Sequence, residues 1–240
     1  MDVLFNEEEE MLKQIVREVL EAESPPQLAR AMETDELGYS PDLWKQLASL
    51  GFLGLALPER YGGQALPLTH LGIVVEELGR AIAPVPFLCT SVAALAIDAG
   101  GNDEQRNEIL TSVSRGDRIL TWAVTEKDPR LRAESINLEA TEEGDNYVLN
   151  GTKMFVEHFT NAAQCLVACR TTQGSKGEDG VSLLLVDTKT AGISATPMVN
   201  IAKDKLDKVV FDNVRVPKAN IIGEANKGWP AVEAMLERAT

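Results

Sequence analysis

Lys127, Arg130 and Arg132 put three cations into a six-residue stretch. The planar fork of an arginine can donate paired hydrogen bonds to phosphate oxygens, so this stretch reads either as an anion contact or as a solvated basic loop. Cys165 and Cys169 would share one face of a strand, yet a zinc site takes about four ligands. The chain has no second cysteine pair, and its only histidines, His70 and His158, are far apart. No metal site is expected. Three cysteines, an odd number in 240 residues, do not make a disulfide framework, so reduced thiols are expected. No GxGxxG opens a helix after a strand, and neither GxxxxGK[ST] nor GxSxG occurs, which leaves Rossmann, P-loop and serine-hydrolase chemistry without support. The 37 carboxylates are mostly surface groups by number alone, and none is named as catalytic.

The elements that must position any chemistry fall into two kinds. Asn6 with Glu9 makes a capping pair ahead of an apolar face of Leu12, Ile15, Val16, Val19 and Leu20, and Ser24-Pro25-Pro26 ends that helix. Ser40 caps a second, with Pro41 in its first turn, Leu43, Trp44, Leu47 and Leu50 as its stripe, and Gly51 as a left-handed terminator. Leu71 to Leu78, Val92 to Ile97 and the more polar Asp103 to Leu110 read as further helices. Near Gly116-Asp117 the pattern changes to short β-prone runs: Ile119 to Val124, Ile136 to Ala140, Tyr147 to Leu149, Leu166 to Ala168, Val181 to Val186 and Val209 to Phe211. Thr172 to Gly180 reads as an exposed hairpin loop, and from Gly228 onward Trp229, Val232, Met235 and Leu236 start a last helix. The reading is α+β: an all-α unit (1–117), an antiparallel β-sandwich or barrel-like unit (118–222), and the start of another helical unit (223–240).

Charge narrows the partners. A formal net charge of -14 disfavours nucleic acid and anionic lipid, and no segment reaches the roughly 18 apolar residues of a membrane span. Glu7 to Glu10 are wrong for a signal or transit peptide, which makes a cytoplasmic location the expectation.

Several segments together resemble the acyl-CoA dehydrogenase family. They are Pro58-Glu59-Arg60-Tyr61-Gly62-Gly63, Glu76-Glu77-Leu78-Gly79-Arg80, Thr121-Trp122-Ala123-Val124-Thr125-Glu126, Asn150-Gly151-Thr152-Lys153-Met154-Phe155-Val156-Glu157 and Val209-Val-Phe-Asp-Asn-Val-Arg-Val-Pro217. The resemblance runs through essentially all of the chain. It implies FAD as cofactor, an acyl-CoA thioester as substrate, and α,β-dehydrogenation with a flavin as hydride acceptor. It also implies flavin contacts at Trp122, Val124, Thr125, Phe155, Val156 and Glu157. Thr125 and the strand amides would bond the polar edge of the ring system, and Phe155 stands where the family has the tryptophan that packs against it.

Two departures stand out. Lys127 to Arg132 replaces the family's Pro and Gly-Ser-Asp turn, which puts its pyrophosphate and thioester contacts in doubt. Glu157 replaces a threonine or serine, so a neutral donor becomes an acidic acceptor that would oppose charge on a reduced flavin unless protonated or turned toward a base. That predicts a lowered flavin potential or weak flavin retention. The family's catalytic glutamate lies on a C-terminal helical domain, and nothing before Thr240 matches it. The chain is therefore expected to be a fragment without its base, inactive alone, with homo- or hetero-oligomers formed through that further domain and an electron-transfer flavoprotein as a redox partner. Two alternatives stay open: a non-catalytic assembly subunit that completes a partner's site, and an acyl-CoA oxidase or flavin monooxygenase on the same scaffold.

Overall fold

In the computed structural model, which describes residues 5–239, helices precede strands in chain order. Helix α1 (Glu7–Glu23) begins at the reciprocal Asn6/Glu9 cap, and α2 (Pro26–Met32) restarts at once behind Pro25. Only Val16 and Leu20 of the α1 stripe are fully buried, and Ile15 is exposed, so this outer helix meets the bundle along a narrow seam. The Ser40 side chain caps α3 (Pro41–Ser49), and Gly51 behind it has φ 79°, the left-handed stop that its sequence position predicts. Helices α4 (Leu68–Arg80) and α5 (Phe87–Gly100) are longer than their apolar runs. Helix α6 (Asp103–Gln105) passes through a π-helical turn, Arg106–Leu110, into α7 (Thr111–Ser114). Between α3 and α4 the Pro58–Gly63 turn closes so tightly that a Cβ on Gly63 would sit 2.0 Å from the Leu57 carbonyl oxygen.

The strands are β1 (Leu120–Ala123), β2 (Glu139–Glu143), β3 (Asn146–Glu157), β4 (Gln164–Arg170), β5 (Val181–Asp187), β6 (Ile193–Met198), β7 (Leu206–Pro217) and β8 (Ile221–Ile222). They form one sheet in the order β6-β7-β3-β2-β4-β5-β8, with β1 beside β4. Most pairs are antiparallel as expected, but β1 and the start of β2 run parallel to β4. The edge strand β6 lies outside the β-prone runs that the sequence predicts. Its Ile-Ser-Ala-Thr-Pro-Met run is too polar to announce a strand, and its ladder with β7 decides the matter.

Alternation in β4 and β5 divides the interior. Leu166, Ala168, Leu183 and Leu185 face α5, while Cys165, Val167, Cys169, Leu184 and Val186 face a second core shared with β3 and β7. Both faces are covered, which is why these strands read as unbroken apolar runs. The last helix, α8 (Trp229–Arg238), buries Trp229, Val232 and Met235 in the first of these cores; Thr240 lies outside the described residues. The Thr172–Gly180 loop is tied down by buried Arg170, whose guanidinium donates to the carbonyls of Ala133, Ile136, Gly177 and Asp179. Among the described residues no helix is long and apolar enough to cross a membrane.

Glu77 fixes α1 to α4. Its carboxylate is 0% exposed and accepts from Arg17 Nη2 at 2.6 Å, Arg17 Nε at 3.1 Å and Arg80 Nε at 2.6 Å. The Arg17 hydrogen bond, with help from Arg80, outweighs burial and holds Glu77 down at about 2. A carboxylate depressed in the folded state stabilises above its unfolded pKa, roughly 4.3, and loses that contribution as pH falls toward the folded value. Glu77→Gln should therefore cost about 3 kcal/mol in urea unfolding at pH 7, and the difference from wild type should shrink between roughly pH 4 and pH 2. A pH-independent difference would show that the charge is not what matters.

Candidate functional site

Strand β1 is held from three sides. Buried Thr90 of α5 accepts the Leu120 N–H at 3.2 Å and donates to the Leu120 carbonyl at 3.1 Å. On the other flank the Thr121 hydroxyl donates to the Glu157 carbonyl at 2.5 Å, and β4 pairs along the third. The segment leaving β1, Val124-Thr125-Glu126, is then pinned from β3: the Met154 N–H donates to the Thr125 carbonyl at 2.8 Å. Lys153 Nζ lies 3.1 Å from the Val124 carbonyl and 2.7 Å from Glu126 Oε1. Burial pushes the Lys153 ammonium down, and Glu126 partly offsets this. The Glu126 carboxylate also accepts the N–H groups of Asn137 and Leu138.

A bulge in β3 shapes the exposed face of this site. Lys153 pairs with Val209 and Val156 with Asp207, so Met154 and Phe155 together oppose Lys208 alone. The extra residue lets Lys153 and Val156 both point inward, although three positions apart would otherwise put them on opposite faces. Phe155 is turned out, 52% exposed, with φ 57°. A bulky residue in the left-handed region is uncommon, and such strain collects at functional sites.

The structure brings most of the sequence-selected residues together. Trp122, Val124, Thr125, Phe155 and Glu157, joined by Met154, line one small recess of about 40 Å³. Trp122 and Thr125 are partly exposed there, whereas the side chains of Val124 and Val156 are 3% and 1% exposed and belong to the cores. Phe155 also borders a wider cleft of about 540 Å³ with Glu126, Lys127, Pro129, Thr152 and Lys208. On its other side Glu157 faces a cleft of about 210 Å³ with Leu88, Cys89, His158, Asp204 and Lys205. That cleft shares Val85, Phe87, Leu88, His158, Asp204 and Lys205 with an apolar-walled cleft of about 360 Å³ between α4 and the β6–β7 loop.

Electrostatics modify two sequence-based expectations. Glu157 is exposed as a residue, yet the protein packed about its carboxyl and the nearby Asp204 raise its pKa, which favours the neutral acid that can donate a hydrogen bond. Arg130 is not a free phosphate ligand: Asp128 accepts from both its Nε and its Nη2, and the Arg130 hydrogen bond holds Asp128 well below the usual carboxylate range. Arg132 lies 3.9 Å from Glu134. Lys127, the third cation of that loop, borders the wider cleft beside Phe155. Burial, then Lys205, lowers His158 to about 4, so the ring is neutral at pH 7, with Asn161 3.1 Å from its Nδ1. Cys89, Cys165 and Cys169 are buried free thiols whose pKa burial raises. Among the described residues no group of three or more His, Cys, Asp or Glu could hold a metal.

The Lys153–Glu126 pair was not assigned a role from sequence. A signal was present: Leu149, Gly151 and Lys153 share one phase of a strand whose inner face is apolar, and an inward lysine requires a carboxylate partner.

Two family models match the chain, the acyl-CoA dehydrogenase N-terminal domain over residues 6–117 and the acyl-CoA dehydrogenase middle domain over residues 121–214. The chain belongs to the acyl-CoA dehydrogenase family. Acyl-CoA dehydrogenase FadE26 of Mycobacterium tuberculosis is 36% identical over 196 residues, which cover 80% of this chain and 48% of that protein. The ChsE4-ChsE5 complex of Mycobacterium tuberculosis contains a chain 30% identical, with a TM-score of 0.88, matched over 99% of this chain and 62% of that one. A glutaryl-CoA dehydrogenase of Mycobacterium smegmatis in complex with FADH2 is 25% identical, with a TM-score of 0.86, over 98% of this chain and 60% of that one. The chain spans about half to three-fifths of the length of the curated relatives it matches. The α+β acyl-CoA dehydrogenase fold is thereby established for these residues.

Because Phe155 is half exposed and strained, Phe155→Gly should leave the melting temperature unchanged or raise it, since glycine relieves about 1 kcal/mol of left-handed strain at little packing cost. A fall of several degrees would show that the ring supports the fold instead of presenting a surface.

Proposed function

We propose that this chain supplies the flavin- and acyl-binding parts of an FAD-dependent acyl-CoA dehydrogenase that introduces an α,β double bond into an acyl-CoA thioester. The observation that carries this reading is the exposed, strained Phe155 beside Thr125 and Trp122 in one recess: an aromatic surface next to a hydroxyl, which suits a ring system with one polar edge. Bound FAD would supply the hydride acceptor. Phe155 would lie against its plane, and the Thr125 hydroxyl and neighbouring backbone would donate to its polar rim. Where protonated, Glu157 would donate at the place of the family's hydroxyl, and its raised pKa lessens the charge conflict that its identity alone suggests. The connected clefts between α4, the start of α5 and the β6–β7 loop would take the acyl group, apolar along Leu78, Val85 and Leu88 and polar at Asp204 and Lys205.

The reading divides the chain at 1–117, 118–222 and 223–240, assigns no catalytic base to it, and includes a cytoplasmic location, an oligomeric holoenzyme and an electron-transfer flavoprotein as oxidant. A second reading, an assembly subunit that completes another chain's site, is favoured by one feature. In the loop at Lys127–Arg132 the Arg130 fork is taken up by Asp128, and Arg132 lies 3.9 Å from Glu134, which leaves fewer donors for an anion. The chain matched in the ChsE4-ChsE5 complex, named for two components, is consistent with such a subunit.

Purified protein should hold FAD, with visible absorbance that bleaches on anaerobic acyl-CoA addition once the full-length holoenzyme is used. Flavin-free full-length protein that gains no flavin on titration would sink the first reading and leave the second. Glu157→Thr should raise the flavin potential less at the lower of two pH values, where more of the wild-type carboxyl is protonated, than at the higher. An equal shift at both pH values would mean that Glu157 is charged throughout.

A further inference from the structure

We propose that Lys153 is a positioning residue, the buried latch that holds Thr125 in register with Phe155. The inference rests on the flavin reading above and adds a role for a side chain that no ligand would touch. Lys153 is 0% exposed and Glu126 9%, and the two meet at 2.7 Å. Their contacts flank Thr125 on both sides: Lys153 holds the Val124 carbonyl before it and the Glu126 carboxylate after it. Directly following Lys153 in β3, Met154 donates to the carbonyl of Thr125 itself. Glu126 carries the restraint further, to the N–H groups of Asn137 and Leu138, so the segment before β2 is fastened to the same point.

The lysine belongs to the strand that presents Phe155 two residues later, and its partner belongs to the segment that presents Thr125 one residue earlier. One ion pair thus sets the spacing between the two walls of the recess. Stability alone is a weak reason for such a pair, since well-packed apolar residues of equal volume often stabilise as much. What an apolar pair lacks is direction: an ammonium with three donors fixes a carbonyl and a carboxylate at once. The buried groups bearing on this ammonium are Glu126 and the Cys165 and Cys169 thiols of β4, and Glu126 in turn acts on Arg170.

The test compares wild type, Lys153→Met and Lys153→Arg by amide hydrogen exchange and by FAD titration with the visible flavin spectrum as readout. Lys153→Met should accelerate exchange at Met154 by about tenfold or more while amides of the β4–β5 ladder keep their rates, and should weaken FAD by about tenfold with a shifted spectrum. Lys153→Arg should recover part of both. If Lys153→Met does not fold, Glu126→Gln decides by the same measurements, because an amide oxygen can still accept from Asn137 and Leu138. A folded variant with Met154 exchange and FAD affinity both within twofold of wild type overturns the proposal, as does faster exchange with unchanged affinity and spectrum. Should wild type itself bind no FAD, the flavin reading fails, and the exchange rates alone still decide whether Lys153 is the latch.

Discussion

An ammonium group without access to water is the constraint on which the candidate site depends. Lys153 can be buried in the β domain only because Glu126 answers its charge and the Val124 carbonyl takes another of its protons. Those partners lie on the segment leaving β1, so the requirement that a buried charge be paired brings two distant stretches of sequence together. Thr125 is carried between them. The site is thus assembled by a need of the core, and the residues that a ligand would meet inherit their places from it.

Backbone irregularity does the complementary work. A regular strand would send Phe155 inward, on the side shared by Lys153, or send Val156 outward to water. The bulge at Met154 and Phe155 lets the inner phase resume at Val156 and leaves an aromatic ring on the surface. Rigid surroundings make that strain tolerable: β1 is clamped by Thr90 and Thr121, and β4 and β5 are covered on both faces. On the helical side, Glu77 between Arg17 and Arg80 repeats the same principle, a buried carboxylate joining two helices that share only a narrow seam.

Local chemistry was the most legible part of the sequence. The Asn6/Glu9 cap, the Ser40-Pro41 start and the Gly51 stop each depend on neighbours within a few residues, and each is found in the fold. The recess at Trp122, Thr125, Phe155 and Glu157 could be anticipated through family resemblance, since those residues fall within two short motifs. What could not be read depends on partners far along the chain. The parallel β1–β4 pairing and the β6 edge follow from topology and not from propensity. The rise in the Glu157 pKa comes first from burial and then from Asp204, 47 residues later, and the availability of Arg130 depends on which way Asp128 turns. Lys153 stands in a family-like motif, but its burial and its partner Glu126 follow only from the path of the chain.

That Thr125 and Phe155 would form two walls of a flavin platform is tested most directly by mapping bound FAD onto the backbone. In a titration of isotopically labelled protein followed by amide chemical shifts, the largest changes are expected at 122–126 and 152–157, with α1, α3 and the β4–β5 hairpin loop unmoved. Binding that perturbs those remote segments while leaving Thr125 and Phe155 untouched would contradict it.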